Sequence, residues 1–341
     1  LIAPANGPVG GLTAAEVRTI IDNAIATSNT TRAVIRLPLG SRARMVIAVA
    51  DLDGTVIGLH RMADSTVFSI DVAAAKARNM VYFNSTARTV ADFHAAAAVA
   101  PPGSRFGEPE QVLAPALENF DELEALLPGE SERLLRLKSW TLAESGRRRE
   151  AFARRKAEGR VRECHGDLHL GNLVLLDGKI TPFDCIEFNE DFRWIDVASE
   201  IAFAWIDLID HGRPGLACWL LNEWLVRTGD FGAFAVLRFY AVYRATVRAK
   251  VAAIQGRPDR AAEYLSMAER IAVQPALTLT ITHGLSGCGK TTASTARLLS
   301  DTEGATIRLR SDVERKRLFG LPPDADSRSE IEGGIYSPDA T

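Results

Sequence analysis

At 341 residues the chain is long enough for two or three domains and a sizeable core. Its composition, 47% hydrophobic and 24% charged, is that of an ordinary globular protein and excludes wholesale disorder, collagen-like and coiled-coil classes. Forty lysines and arginines against 43 acidic residues leave a formal net charge of −3, which provides no electrostatic footprint for bulk nucleic-acid binding.

Cys164, Cys185, Cys218 and Cys288 follow no CxxC or Cys/His ligand spacing, so reduced thiols in a cytoplasm are expected. The stretch 271–289 lacks Asp, Glu, Lys and Arg. Gln274, Pro275 and the interspersed threonines and glycines nevertheless make it a linker, strand and loop, not a membrane span. The opening LIAPANGPVGG has no basic n-region and begins at Leu1, as expected of a processed chain or a fragment and not of an intact signal peptide.

In chain order, Thr13-Ala-Ala-Glu16 is a capping box ahead of Val17, Ile20, Ile21 and Ile25 at helical spacing. Two apolar β-rich runs, 45–50 and 55–59, joined by Asp51-Leu-Asp-Gly54, predict a hairpin. Apolar Ile70, Val72, Ala73, Ala77 and Met80 predict a second helix over 69–81, packed on that hairpin. With Phe68, Ser69, Ile70, Asp71, Val72, Lys76, Ala77 and Arg78 in an F-S-I-D-V-A-x-x-K-A-R run, residues 1–84 resemble the GlcG/HbpS-type haem-binding family. From residue 86 the sequence turns Ala- and charge-rich. Helices are predicted over 89–100, with Ala95 to Ala98 as an alanine run inside the first, over 109–127 and over 130–159.

The most informative stretch is HGDLHLGN, residues 165–172, followed by an apolar strand, the Asp177-Gly178 turn and a second strand ending at Phe183-Asp184. Phosphoryl transfer needs a carboxylate to take the acceptor's hydroxyl proton, and an amide with a second carboxylate to hold Mg²⁺ against the triphosphate. Asp167 fits the base, and Asn172 and Asp184 fit the metal ligands. This stretch resembles the aminoglycoside phosphotransferase family, with its H-G-D-x-H-x-x-N loop. The resemblance extends over about 86–273 and includes Arg193-Trp-Ile-Asp196, where the family's aspartate ahead of a long helix braces the catalytic loop. HGDLHLGN, FDCIEFN and FRWIDVASEIAF together look like bacterial two-part proteins that join such a domain to a C-terminal P-loop kinase.

A second site begins at the β-rich run 277–282, which feeds GLSGCGKTT and then a helix, a complete Walker A pattern in strand-loop-helix order. Gly284, Ser286, Gly287, Cys288, Gly289 and Thr292 would supply backbone N–H groups to phosphate. Lys290 would reach the β- and γ-phosphates, and the Thr291 hydroxyl would take Mg²⁺. The strand predicted over 306–310 leads into Ser311-Asp312-Val-Glu-Arg315. This resembles small P-loop kinases of the polynucleotide-kinase and zeta-toxin type, which implies Asp312 as the acceptor-side base and Arg315 as a phosphate contact.

The expected fold class is mixed α/β: an α/β fragment over 1–84, a mostly helical kinase-like C-lobe over 85–273, and the start of a P-loop parallel-sheet domain over 274–341. Each module reads as incomplete, so impaired turnover is expected. The expected function is ATP- (or GTP-) and Mg²⁺-dependent transfer of phosphate to a hydroxyl of an unidentified small acceptor. The competing reading is a non-catalytic nucleotide- or haem-binding fusion with vestigial kinase motifs. No membrane partner is expected.

Overall fold

The computed structural model describes residues 2–9, 11–31, 41–51, 55–65, 70, 73–74, 90–176, 179–273, 277–284 and 288–325. They fall into two units, one built from 1–96 and 164–194, the other from 97–163 and 195–341.

In the first unit, α1 (Ala14–Thr30) starts at the expected capping box. Thr13 Oγ1 accepts from the Glu16 amide at 3.3 Å, and Glu16 Oε2 accepts from the Thr13 amide at 2.8 Å. One face of α1 buries Val17 and Ile21 against Val49 and Ile57 of the antiparallel hairpin β1 (Val46–Ala50) and β2 (Val56–Arg61). Pairing runs from Val46 opposite Arg61, with an irregularity between Val49 and Ala50. The helix expected over 69–81 lies almost entirely outside the described residues. This unit also contains α2 (Val90–Ala96) and the hairpin of β4 (Leu173–Leu176) and β5 (Lys179–Pro182), which is described with the site below.

The second unit is mostly helical: α3 (Pro109–Leu126), α4 (Ser131–Ala157), α6 (Val197–Asp210), α7 (Pro214–Thr228), α8 (Phe234–Ile254) and α9 (Pro258–Ala272). The short α5 (Glu190–Arg193) belongs to the first unit, while β3 (Val161–Glu163) pairs with β6 (Trp194–Asp196), whose last two residues lie in the second. Proline starts α3, α7 and α9, at positions where a missing N–H costs no helical bond. The core centres on α8, whose Phe239 meets Phe152 of α4 edge to face at 5.2 Å, and whose Arg244 lies over the Phe203 ring of α6 at 4.9 Å. All four cysteines are free thiols, and burial pushes Cys218 up to about 11.

The alanine run 95–98 leaves the helix, because α2 ends at Ala96 and the backbone beyond it pairs with β3. Ala100 donates to the Val161 carbonyl and Glu163 to the Ala98 carbonyl, each at 2.9 Å, so ladder pairing overrides alanine's helix propensity. The run 277–282 forms no strand. Leu277, Leu279 and Ile281 are exposed, and no described strand pairs with the run, so its alternating pattern has no ladder to complete. The described residues contain no parallel pair, and 306–310 is likewise unpaired with any strand.

The segment after residue 288 packs on α7. Helices α10 (Lys290–Leu299) and α11 (Ser311–Leu318) flank the extended stretch 305–310, whose backbone is read by one side chain. Asn222 Nδ2 donates to the Thr306 carbonyl at 2.9 Å, and Asn222 Oδ1 accepts from the Arg308 amide at 2.6 Å. Trp205 Nε1 donates to the Gly304 carbonyl at 2.9 Å.

The largest fully buried side chain among the described residues is Arg155 of α4, 1% exposed. Its Nε and Nη2 bond both oxygens of Asp196 at 2.7 and 2.8 Å, and its Nη1 and Nη2 bond both oxygens of Asp230 at 2.8 Å. Burial opposes the charge, but the two carboxylates outweigh it and hold Arg155 above the ordinary arginine value. Asp196 also caps α6 through the Ala198 amide at 2.8 Å. Arg155→Met would strand two buried carboxylates, so a loss of about 3–5 kcal/mol is expected in denaturant unfolding. Unchanged stability in that melt would contradict the role given to this group.

Candidate functional site

The loop 164–172 is fixed from below by backbone bonds. Cys164 donates to the Arg193 carbonyl, Ile186 to the His165 carbonyl and Phe183 to the Asn172 carbonyl, all at 2.9 Å. His165 is fully buried. Its Nδ1 accepts from the Asp167 amide at 3.3 Å, so Nε2 carries the proton given to the Phe183 carbonyl at 2.9 Å. Gly166 sits at φ +86°, and a Cβ there would stand 2.6 Å from the Phe192 carbonyl oxygen, so only glycine fits.

His169 caps the one-turn 3₁₀ helix at Leu170–Asn172, its Nδ1 accepting from the Gly171 amide at 3.0 Å. That bond leaves the proton on Nε2, which lies 3.5 Å from Asp167 Oδ2. Asn172 follows on the same turn, and its Nδ2 donates to Asp167 Oδ2 at 2.9 Å and to the Asp167 carbonyl at 3.0 Å. The sequence-selected base and amide are therefore in direct contact. With Nδ2 committed to Asp167, the Asn172 amide offers Oδ1 as an oxygen donor.

The hairpin pairs Leu173 with Pro182 and Leu176 with Lys179, and Asp184 stands two residues beyond Pro182. Asp184 is exposed and takes φ +61°, one of two non-glycine residues with positive φ among those described. Such backbone costs about 1–3 kcal/mol and clusters at functional sites. Its neighbour Phe183 carries the amide bond to Asn172, so the hairpin closes with Asp184 one residue from that link. A carboxylate, an amide oxygen and a second carboxylate are hard oxygen donors of the type Mg²⁺ prefers. His165 and His169, which lock this loop, were not singled out as site residues from the sequence; the motif itself was the available signal.

At the Walker pattern, Ser286 and Gly287 lie outside the described residues. Gly284 has φ +148° and Gly289 φ +87°, both in the positive-φ region that favours glycine, and Gly289 is the N-cap of α10. Lys290 opens that helix, its Nζ donating to the Gly284 carbonyl at 2.6 Å and lying 3.8 Å from Cys288 Sγ. Thr291 and Thr292 follow on the exposed first turn. Further on, Asp312 lies in the first turn of α11 and pairs with Lys316 at 3.1 Å, while Arg315 sits one turn later on the same helix. Asp196, expected to brace the catalytic loop, is bonded to Arg155 and to the start of α6.

No helix among the described residues is long and apolar enough to cross a membrane. No solved structure matches the chain. Uncharacterized proteins of Mycobacterium tuberculosis (strains H37Rv and CDC 1551) and Mycobacterium bovis are each 33% identical over 192 residues, 54% of this chain and 38% of theirs. The chain thus spans well under half the length of the curated relatives it matches. The likeness of residues 1–84 to haem-binding proteins gains no support, and the first family match begins inside that segment, at residue 71. Residues 71–240, just under half of the chain, match the Phosphotransferase enzyme family, and residues 279–338 match the AAA domain family.

Proposed function

We propose that this chain is an ATP-dependent phosphotransferase acting on a hydroxyl group of a small acceptor. The observation that carries the reading is the Asn172 Nδ2 bond to Asp167 Oδ2, at 2.9 Å, inside an HGDxHxxN loop of a phosphotransferase domain. Asp167 receives the acceptor's hydroxyl proton as the acceptor oxygen bonds to the terminal phosphorus of ATP and the bond from that phosphorus to the bridging oxygen breaks, releasing ADP. Asn172 holds that carboxylate in place, and His169 Nε2 faces the same oxygen at 3.5 Å. Gly166 lets the loop pass against the Phe192 carbonyl, and buried His165 ties it to Phe183.

Asn172 Oδ1 and Asp184 would hold Mg²⁺, which supplies charge neutralisation for the phosphate oxygens when bound. The second domain contributes a separate nucleotide site. There Gly284, Cys288, Gly289 and Thr292, with Ser286 and Gly287 of the same sequence pattern, would offer backbone N–H groups to the phosphates. Lys290 exchanges its loop carbonyl for phosphate, and Thr291 offers its hydroxyl to the metal. Asp312 is the acceptor-side base of this second site and Arg315 its phosphate contact. The four free thiols agree with a reducing, cytoplasmic setting.

Lys290→Ala should weaken ATP binding at the P-loop by about 2–3 kcal/mol, the upper range for hydrogen bonds to charged groups. Calorimetric titration reads this directly, and an unchanged affinity would remove the P-loop assignment. In the Lys290→Ala background, the nucleotide affinity that remains should depend on Mg²⁺, and Asp184→Ala should abolish that dependence. Asp167→Asn should leave this binding intact while lowering ATP-dependent phosphorylation across a panel of hydroxyl acceptors by about 10²-fold or more. Turnover equal to that of the unmutated chain would show that Asp167 is not the base.

A further inference from the structure

The P-loop domain contains a second concentration of positive charge that the Walker loop does not use. Arg308 and Arg310 lie two residues apart on the extended stretch before α11, with Leu309 between them 68% exposed. Arg310 has extended backbone, φ −116° and ψ 114°, in which residues i and i+2 share a face, and its charge acts on Arg308. Arg308 is nine-tenths buried, its side chain 9% exposed. Its Nη1 reaches Thr295 Oγ1 at 2.7 Å and Ser294 Oγ at 3.4 Å, both on the helix that begins with Lys290. Its Nε is buried with no acceptor, and so is the Nε of Arg310. Among the described residues, the one carboxylate paired with either guanidinium is Glu223, 3.8 Å from Arg308 Nη2 and itself 39% exposed.

This arrangement is costly as it stands. A buried donor without an acceptor forfeits its hydration, and two like charges on one face repel. Burial pushes Arg308 below the ordinary arginine value, and the neighbouring charge of Arg310 pushes in the same direction. An anion that supplies acceptors to the idle Nε–H groups adds an attraction that offsets both. Two guanidinium forks suit a tetrahedral dianion with several oxygens, whereas a single carboxylate would satisfy one fork.

We propose that Arg308 and Arg310 form a binding site for a phosphate monoester carried by the acceptor, separate from the Walker loop. The assignment to the acceptor side rests on the reading of Asp312 given above, since Arg310 lies two residues before that carboxylate while Lys290 serves the nucleotide. The acceptor of the P-loop domain is then an already phosphorylated hydroxyl compound.

The test uses the whole chain and phenyl phosphate as the probe, followed by thermal melting. In the Lys290→Ala variant, which disables the Walker loop, phenyl phosphate should raise the melting temperature by several degrees. It should do the same for the unmutated chain saturated with ATP and Mg²⁺. Arg310→Gln removes a charge that holds no ion pair, so this variant should melt higher than its parent in phosphate-free buffer, yet bind the probe at least tenfold more weakly. Arg308→Lys, which keeps the charge but loses the fork, should bind it more weakly as well. The proposal is overturned by a probe response that is absent in Lys290→Ala, undiminished in Arg310→Gln, or lost on saturation with ATP. Failure of ATP to shift the unmutated chain would instead count against the nucleotide reading, and the Lys290→Ala measurement would still decide this one.

Discussion

Arg155 is the point on which the helical unit is built. A single guanidinium, buried in α4, satisfies both oxygens of Asp196 and both oxygens of Asp230, and so ties α4 to the start of α6 and to the turn between α7 and α8. Desolvating three charges is expensive, and the arrangement stands because nearly every donor of the fork has a carboxylate oxygen within 2.8 Å. Its contribution is geometric as much as energetic. Asp196 is also the N-cap of α6, so the residue that neutralises the arginine sets where a long buried helix begins.

The HGDxHxxN loop follows the same logic with neutral groups. His165 and His169 each accept a backbone N–H on Nδ1, which fixes the proton on Nε2 and turns it toward the Phe183 carbonyl in one case and Asp167 in the other. Asn172 then joins the two aspartates of the motif, one through its side chain and the other through a backbone bond to the neighbouring Phe183. Pre-organisation of this kind suits phosphoryl transfer, in which positioning and electrostatics supply most of the rate.

What could be read from the sequence divides along contact range. The capping box at Thr13 and Glu16, the β1–β2 hairpin, the three long helices up to Ala157 and the HGDxHxxN loop all rest on groups a few residues apart, and the structure has each of them. The run 277–282 has a strand's alternation, but a strand exists only beside another, and nothing in Leu-Thr-Leu-Thr says whether a neighbour is present. The alanines at 97 and 98 fail for the complementary reason, since β3, more than sixty residues later, captures their backbone. The Arg155 cluster joins positions 41 and 75 residues apart, and no local pattern could have assembled it.

Asn222 shows how far a side chain can replace a missing strand. Its amide presents one donor and one acceptor, the pair a neighbouring strand would offer, and it takes the Thr306 carbonyl and the Arg308 amide at 2.9 and 2.6 Å. The extended stretch is thereby held against α7 without any ladder, at the cost of leaving most of its remaining backbone without strand partners. It also sets the register of the stretch. Because the amide grips the backbone of residues 306 and 308, alternation directs Arg308 and Arg310 to one face and Leu309 to the other, which is 68% exposed. A slip of one residue would bury the leucine and release both arginines to solvent. The unpaired Nε–H groups of the two guanidiniums are therefore a consequence of where one asparagine holds the chain.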